Sequence, residues 1–377
     1  RDTDRSRGLG DVYKRQLVYG IRETLLGSDK LTWEKSYKTN IGLEMMLWGK
    51  LNLTLDYYWE RRKDILIQRS SLPSMAGFDA SIYANMGEMD NKGVDANLEY
   101  QTRIGNKVGL RLFGNLTYSK NKIVFRDEPA MQYAYQKSEG TRYGEFYGYI
   151  AEGYFQSEEE IKKSPRQMRE LAPGDIKYKD LNDDGVIDAN DQCYLGKSWF
   201  PSWSYGMGFN INYHNFDLAL FFQGVSDVSI MANGGSIDTG NGDWGASGVG
   251  IVPFTGMGLN PSNVITKALD RWTADNPRAD AWYPRMTANA TTNDNNYVNS
   301  THWLKDGSYL RLKQASLGYT LENKKLMDKG IEYLYFYLSG QNLLTFSKFK
   351  LWDPELGSNG AKYPLSRMVT LGMRVSF

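Results

Sequence analysis

Cysteine is almost missing from this 377-residue chain. Cys193 stands alone, so no intrachain disulfide can staple the fold. Histidine is nearly as scarce: His214 and His302 are the only two, with no cysteine or glutamate near them at metal-ligand spacing. Long apolar runs are absent as well. The longest, such as Leu218 to Phe222, span a few residues, whereas a transmembrane helix needs roughly 18 or more. Helical membrane spans are thereby excluded, but strands are not, because a barrel strand is apolar only at alternate positions. Neither charge sign dominates: 45 Lys and Arg face 44 Asp and Glu, so no basic field points to nucleic acid. No secretory signal opens the chain, so an exported protein would have its true start upstream. Arg1 to Gln16 (RDTDRSRGLGDVYKRQ) is charged and aperiodic. It reads as adaptor-derived sequence foreign to the fold, leaving residues 17–377 as the domain.

What the chain does have is aromatics, glycine and alternation. Tyrosine occurs 26 times, tryptophan 10 and glycine 38, in a sequence of negative mean hydropathy. From Thr39 on, Ile41, Leu43, Met45 and Leu47 share one parity, with Asn40, Gly42 and Glu44 on the other. After Trp48-Gly49-Lys50 come Leu51, Leu53, Leu55, Tyr57 and Trp59 against Asn52, Thr54, Asp56, Tyr58 and Glu60. The same pattern recurs at Val94 to Gln101, Val108 to Ser119, Trp203 to Tyr213, Phe216 to Phe222 and Val369 to Phe377. Two further strands are expected around Tyr309 to Leu321 and Ile331 to Leu343. Strand side chains point alternately to opposite faces, so each segment has one greasy and one wet face over about ten residues, a length that crosses a bilayer when tilted.

Three neighbouring pairs are joined by tight turns, at Trp48 to Lys50, Ile104 to Asn106 and His214-Asn215. Long segments such as Gln68 to Met89, Lys120 to Ser202 and Gly224 to Gly307 separate the others. Short turns on one side and long loops on the other are the asymmetry of outer-membrane barrels. Tyr57, Trp59, Tyr100, Tyr118, Trp203 and Tyr213 sit at strand ends, where an interfacial aromatic girdle belongs. A soluble β-sandwich alternates too, but its strands run about 5–6 residues. Its wet face would also not need the mid-strand charges Asp56, Asp95, Arg111, Asp217 and Arg374. The expected fold is therefore all-β: an antiparallel transmembrane β-barrel with long extracellular loops. This chain would supply about ten C-terminal strands of a larger closed barrel, since an open sheet leaves two bare edges.

One segment carries metal-binding spacing. Asp180, Asn182 and Asp184 stand at positions 1, 3 and 5 of a calcium loop, and Gly185 at position 6 makes the sharp turn. The Val186 carbonyl, Asp188 and Asp191 fall at 7, 9 and 12. The flanks look extended rather than helical, so the expectation is an isolated Ca²⁺ loop that stiffens an external segment; an Asx-rich turn without metal is the alternative. No catalytic constellation stands out, and Gly206-Met-Gly208 lacks the following helix of a phosphate cradle. Glu158 to Lys163 reads as a short solvated helix. Trp244, Trp272, Trp282 and Tyr283 lie among Asn, Asp, Thr and Gly in the longest loop. Flat rings beside polar groups suit a sugar; equally, they would serve as the loop's own small core.

Several stretches, in order, resemble the SusC/RagA type of TonB-dependent outer-membrane transporter. They are Leu31-Thr-Trp-Glu-Lys-Ser36, Pro173-Gly-Asp-Ile-Lys-Tyr-Lys-Asp-Leu-Asn-Asp-Asp-Gly-Val-Ile-Asp188, Asp270-Arg-Trp-Thr-Ala-Asp-Asn-Pro277, Trp303-Leu-Lys-Asp-Gly-Ser-Tyr-Leu-Arg-Leu-Lys313, Ser339-Gly-Gln-Asn-Leu-Leu344 and Tyr363-Pro-Leu-Ser-Arg367. The resemblance implies a 22-stranded barrel around an N-terminal plug, with a SusD-like surface lipoprotein as lid. It also implies import of oligosaccharides or peptides driven by TonB–ExbB–ExbD. Phe377 occupies the place of the terminal aromatic read by the barrel-assembly machinery. The plug, the TonB-contacting segment and about half the strands have no counterpart in this sequence. Energised nutrient import, most readily of an oligosaccharide, is the leading expectation, and no enzyme activity is expected. A passive porin or a calcium-stabilised adhesin barrel is the alternative.

Overall fold

A computed structural model describes residues 31–70, 82–105, 107–168, 170–233, 265–286, 295–360 and 362–377. Nine long strands build one antiparallel sheet: β1 (Lys35–Leu47), β2 (Leu51–Gln68), β3 (Tyr83–Ile104), β4 (Val108–Phe125), β9 (Trp203–Tyr213), β10 (Phe216–Ser226), β13 (Tyr309–Leu321), β14 (Tyr333–Ser347) and β15 (Met368–Ser376), hydrogen-bonded in that order. Where about ten strands were expected, the described sheet has nine, with β1 and β15 at its edges. Three two-stranded ribbons lie outside it: β5 (Glu145–Gly148) with β8 (Cys193–Ser198), β6 (Ala151–Tyr154) with β7 (Ile176–Tyr178), and β11 (Ser229–Met231) with β12 (Leu304–Asp306).

The cross-strand register turns the alternation into faces. Leu110, Ile211, Leu218, Leu317, Leu338 and Leu371 are successive partners across six strands. One residue further, Arg111, Asn210, Ala219, Ser316, Ser339 and Thr370 form the parallel row on the opposite face. The apolar row is open to the surroundings, with Leu317 and Leu338 about half exposed and Leu371 80% exposed. Such a contiguous apolar surface is what lipid covers.

Two aromatic rows bound that surface. Tyr57 and Tyr118 share one row with Trp203, and the Tyr118 and Trp203 rings lie 4.4 Å apart. Toward the tight turns, Tyr213, Phe216, Tyr319 and Phe336 form another. From Val108 to Tyr118 the rows are separated by roughly 33 Å of strand, or about 25 Å of height at a tilt of about 40°, matching the apolar band of such barrels. In the three-residue turn beside the lower row, Trp48 and Gly49 have φ of 54° and 62°, both left-handed, and the Lys50 amide donates to the Leu47 carbonyl at 3.1 Å.

Three strands run further than the period suggested. The alternation in β2 fades at Glu60, yet the strand continues to Gln68; β3 begins at Tyr83 rather than Val94, and β4 continues past Ser119 to Phe125. Beyond the upper aromatic row both faces meet water, so the hydrophobic period vanishes while the ladder persists. Charge pairs replace lipid contact there: Arg61 Nε lies 2.6 Å from Asp90, Lys35 Nζ 2.8 Å from Asp64 and Lys63 Nζ 3.7 Å from Glu88.

On the wet face, polar groups bond across strands: Thr117 donates to Asp95 at 2.7 Å, Arg111 to Glu99 at 2.7 Å and Tyr335 to Asp217 at 2.9 Å. Aromatic rings there lie flat over glycines. Phe113 covers Gly208 and Tyr337 covers Gly372, so closely that a Cβ at either glycine would collide with the ring.

Candidate functional site

The long connections β4–β9 and β10–β13 fold into an external lobe with its own hydrophobic core. Phe146, Tyr149, Tyr154, Ile176, Tyr178, Ile187, Met231, Trp272, Tyr283 and Trp303 are buried together. Trp303 is the centre: fully buried, it donates Nε1–H to the Asn296 carbonyl at 2.6 Å. Its ring takes the edges of Trp282 at 5.3 Å and Tyr283 at 5.6 Å, and stacks on Tyr297 at 5.2 Å. Asp175, from the Pro173-Gly-Asp turn, is fully buried and accepts from the Ala172 amide at 2.9 Å and from Asn296 Nδ2 at 2.8 Å. On the rim, Glu158–Lys163 forms the expected short helix, capped by Ser157, which accepts from the Glu160 amide.

This core decides the fate of the aromatics singled out in the sequence. Trp272 and Tyr283 are 6% and 0% exposed, so neither offers a face to a solute. Tyr283 is held where burial raises its hydroxyl pKa, and the Trp272 ring packs onto Gly174. They are the loop's own core, the alternative reading of these rings. The candidate ligand role is lost with them because a stacked sugar needs an open ring face. Trp244 lies outside the described residues. Trp282 differs: it packs only partly into the core and borders a cavity of about 840 Å³.

The same cavity is lined by Trp352 and Phe349, from the segment after β14, and by Lys267, Lys305, Lys348 and Lys350. Trp352 is fixed by its Nε1–H, which donates to the Gly357 carbonyl at 2.8 Å, and by the Phe349 edge at 4.8 Å. Lys305 Nζ sits 5.3 Å from the centre of the Trp282 ring and donates to the His302 carbonyl at 2.6 Å. Burial, reinforced by the charge of Lys267, brings the Lys305 ammonium pKa down to about 8. Behind Trp282, His302 Nε2 lies 3.1 Å from the Trp282 carbonyl; a carbonyl only accepts, so this nitrogen carries the proton. Burial and Lys305 bring the imidazole pKa down to about 4, keeping it neutral. The sequence reading missed this wall. Its only local signal is the alternation Lys348-Phe-Lys-Leu-Trp352, which does not reveal what lies opposite.

The acidic loop folds through its own amides. Asp180 Oδ2 accepts from Gly185 at 2.8 Å, Asp184 Oδ1 from Val186 at 2.9 Å, and Asn182 Oδ1 from Asp184 at 3.2 Å. Asp188 caps the turn Ala189–Asp191, and buried Asp191 accepts from Leu181 at 2.7 Å and Asp188 at 2.9 Å. Among the described residues no three His, Cys, Asp or Glu side chains already converge as a metal cluster. Yet Asp180 Oδ1 is buried with no hydrogen-bond partner, and every candidate donor is a hard oxygen, the type Ca²⁺ takes.

Residues 7–343 match the family described as TonB dependent receptor-like, beta-barrel. TonB-dependent receptor P3 of Formosa agariphila is 28% identical over 391 residues, covering 96% of this chain and 36% of its own length. TonB-dependent receptor SusC of Bacteroides thetaiotaomicron is 23% identical over 383 residues, covering 98% of this chain and 34% of its own. The solved structure of the RagAB peptide importer in its closed-closed state superposes with a TM-score of 0.69 at 24% identity, over 94% of this chain and 36% of that one. The chain thus spans about a third of the length of the relatives it matches. The sheet with one lipid-exposed face and the family match agree: the chain belongs to the TonB dependent receptor-like β-barrel family, and within it is similar to the SusC and RagA proteins.

Proposed function

We propose that the protein imports a nutrient oligosaccharide through the outer membrane. In this reading a SusD-like surface lipoprotein closes over the external lobe, and the TonB–ExbB–ExbD system drives uptake through segments other than the wall described here. The carrying observation is the pairing of a lipid-exposed apolar face with a polar inner face, beneath a lobe whose Trp282 shares a cavity with Trp352 of the β14–β15 connection. The test is uptake of labelled oligosaccharide by cells carrying the intact protein, with and without a functional TonB. Loss of uptake without TonB is expected, whereas undiminished uptake sinks the energised reading in favour of a passive pore, and uptake of peptides alone reassigns the cargo.

Two smaller assignments belong to the same reading. Ca²⁺ would be held by Asp180, Asn182, Asp184, Asp188 and Asp191 with the Val186 carbonyl, and would stiffen the lobe; the orphaned Asp180 Oδ1 supports it. Phe377, 91% exposed beyond β15 on the lipid-facing parity, would serve the barrel-assembly machinery.

A further inference from the structure

We propose that the cavity between Trp282 and Trp352 binds an anionic saccharide, one bearing carboxylate or sulfate groups. This rests on the reading of the protein as a saccharide importer and narrows its cargo. The cavity, about 840 Å³, has the volume of a site for a few sugar rings. Its two indoles are platforms already fixed in orientation: Trp282 by the edges of Tyr283 and Trp303, Trp352 by Phe349 and its own N–H bond. A ring held before the ligand arrives costs less to order on binding.

The charge around those platforms is one-sided. Among the described residues, Lys267, Lys305, Lys348 and Lys350 line the cavity together with a single carboxylate, Asp306. Lys267 is paired at 2.8 Å with Asp270, and Lys348 lies 3.8 Å from Asp306. Lys305 and Lys350, which both line the cavity, have no carboxylate partner among the described residues. Burial, and after it the charge of Lys267, depresses the Lys305 pKa; an anion placed beside the ammonium offsets that cost. The neighbouring cavity shares Phe349, Lys350 and Trp352 and adds Arg311 and Arg367. Arg311 is paired with Asp353 at 2.6 Å and Glu355 at 3.3 Å, so the unpaired cation that this cavity adds among the described residues is Arg367.

The lining also argues against the other classes. Among the described residues no Asn or Gln lines the larger cavity, so few of the paired donor and acceptor groups that read neutral hydroxyls or a peptide backbone are offered there. A saccharide whose C–H face stacks on indole while its acid group meets an ammonium uses both features present.

The experiment is calorimetric binding to the purified intact transporter. The ligands are an oligogalacturonate, a sulfated oligosaccharide, a neutral oligosaccharide of equal length and an acidic peptide of equal charge, at about 50 and about 500 mM salt. The expected result is that one or both charged saccharides bind at least about tenfold tighter than the neutral one and weaken with salt. Lys350→Gln and Lys305→Gln should each weaken them by about three- to tenfold, leaving the neutral ligand unaffected. Lys350 does not contribute to the core, so its variant keeps the test open if the Lys305 variant misfolds. Equal binding of the neutral ligand with no effect of Lys350→Gln overturns the anionic assignment while leaving saccharide import standing. Equal binding of the peptide overturns the saccharide part, and absence of binding by every charged ligand overturns the whole.

Discussion

Arg285 reaches back 110 residues to Asp175: its Nη2 donates to Oδ2 at 2.9 Å and its Nε lies 2.7 Å from Oδ1, with the Asp175 side chain 1% exposed. The Arg285 amide in turn donates to the Gly174 carbonyl at 2.8 Å. The two long connections that make the lobe are thereby locked at one buried point. Removing the carboxylate would leave the half-buried Arg285 guanidinium without its partner and strand the Ala172 and Asn296 amide donors.

Asp175→Ala is accordingly expected to destabilise the lobe by about 3–5 kcal/mol, the range for breaking a buried pair from one side. The sheet, whose ladder does not pass through Asp175, should survive. Limited proteolysis should show rapid cutting between β4 and β9 in a protein that still behaves as a barrel in detergent. Unchanged protection of the lobe would count against Asp175 as its lock.

The assignment of faces gives an opposed pair of neighbouring substitutions. Leu98 lies on the lipid-facing row with Leu53, near mid-height, whereas Asn97 lies with Thr54 and Asn115 on the wet face. Leu98→Arg should cost about 2–4 kcal/mol in a bilayer and reduce insertion, while Asn97→Arg should be tolerated. Heat-modifiability on gels after outer-membrane isolation reads both, and the reverse order of damage would invert the faces.

Calcium should stabilise the lobe if the acidic loop takes it. A ligand at about a hundred times its Kd contributes about 2.7 kcal/mol, readable as a rise in the lobe's thermal transition. Asp180→Ala should abolish the rise. A response that persists unchanged in that variant places the ion elsewhere.

Acid should weaken the lobe through His302. Its pKa is about 4 when folded against about 6.5 in the unfolded chain. Between those values the unfolded chain binds a proton that the folded lobe refuses, so stability drops as pH falls from about 6.5 to about 4, by at most about 3–4 kcal/mol. Lys305, with its folded pKa at about 8, works in an alkaline window: stability rises with pH from about 8 to about 10.5. Unfolding midpoints of the parent and His302→Asn across the acid range test the first; parallel slopes would show that another group titrates.

Most of the sheet was legible because lipid on one side and water on the other impose a period of two, which survives in Leu51 to Trp59 and Trp203 to Tyr213 with no help from distant residues. The tight turns, the short helix at Glu158 and the family resemblance were readable for a similar reason: each is written in a few adjacent residues. The period failed where the physics stopped enforcing it. Past Trp59 both faces are wet, so the strand continued to Gln68 without a signal.

The lobe was another matter. Whether Trp272, Trp282 and Tyr283 were binding rings or core depended on Gly174, Asn296 and Trp303, and no local pattern tells a ring sealed against such partners from one left at a surface. The cavity wall needed Lys267 and Trp282 to meet Lys350 and Trp352 from across β13 and β14. Alternation along the chain determined the membrane face by itself, because that solvent boundary acts on every second residue. Which aromatics and lysines face a solute was decided only by tertiary packing, because burial depends on contacts far apart in sequence.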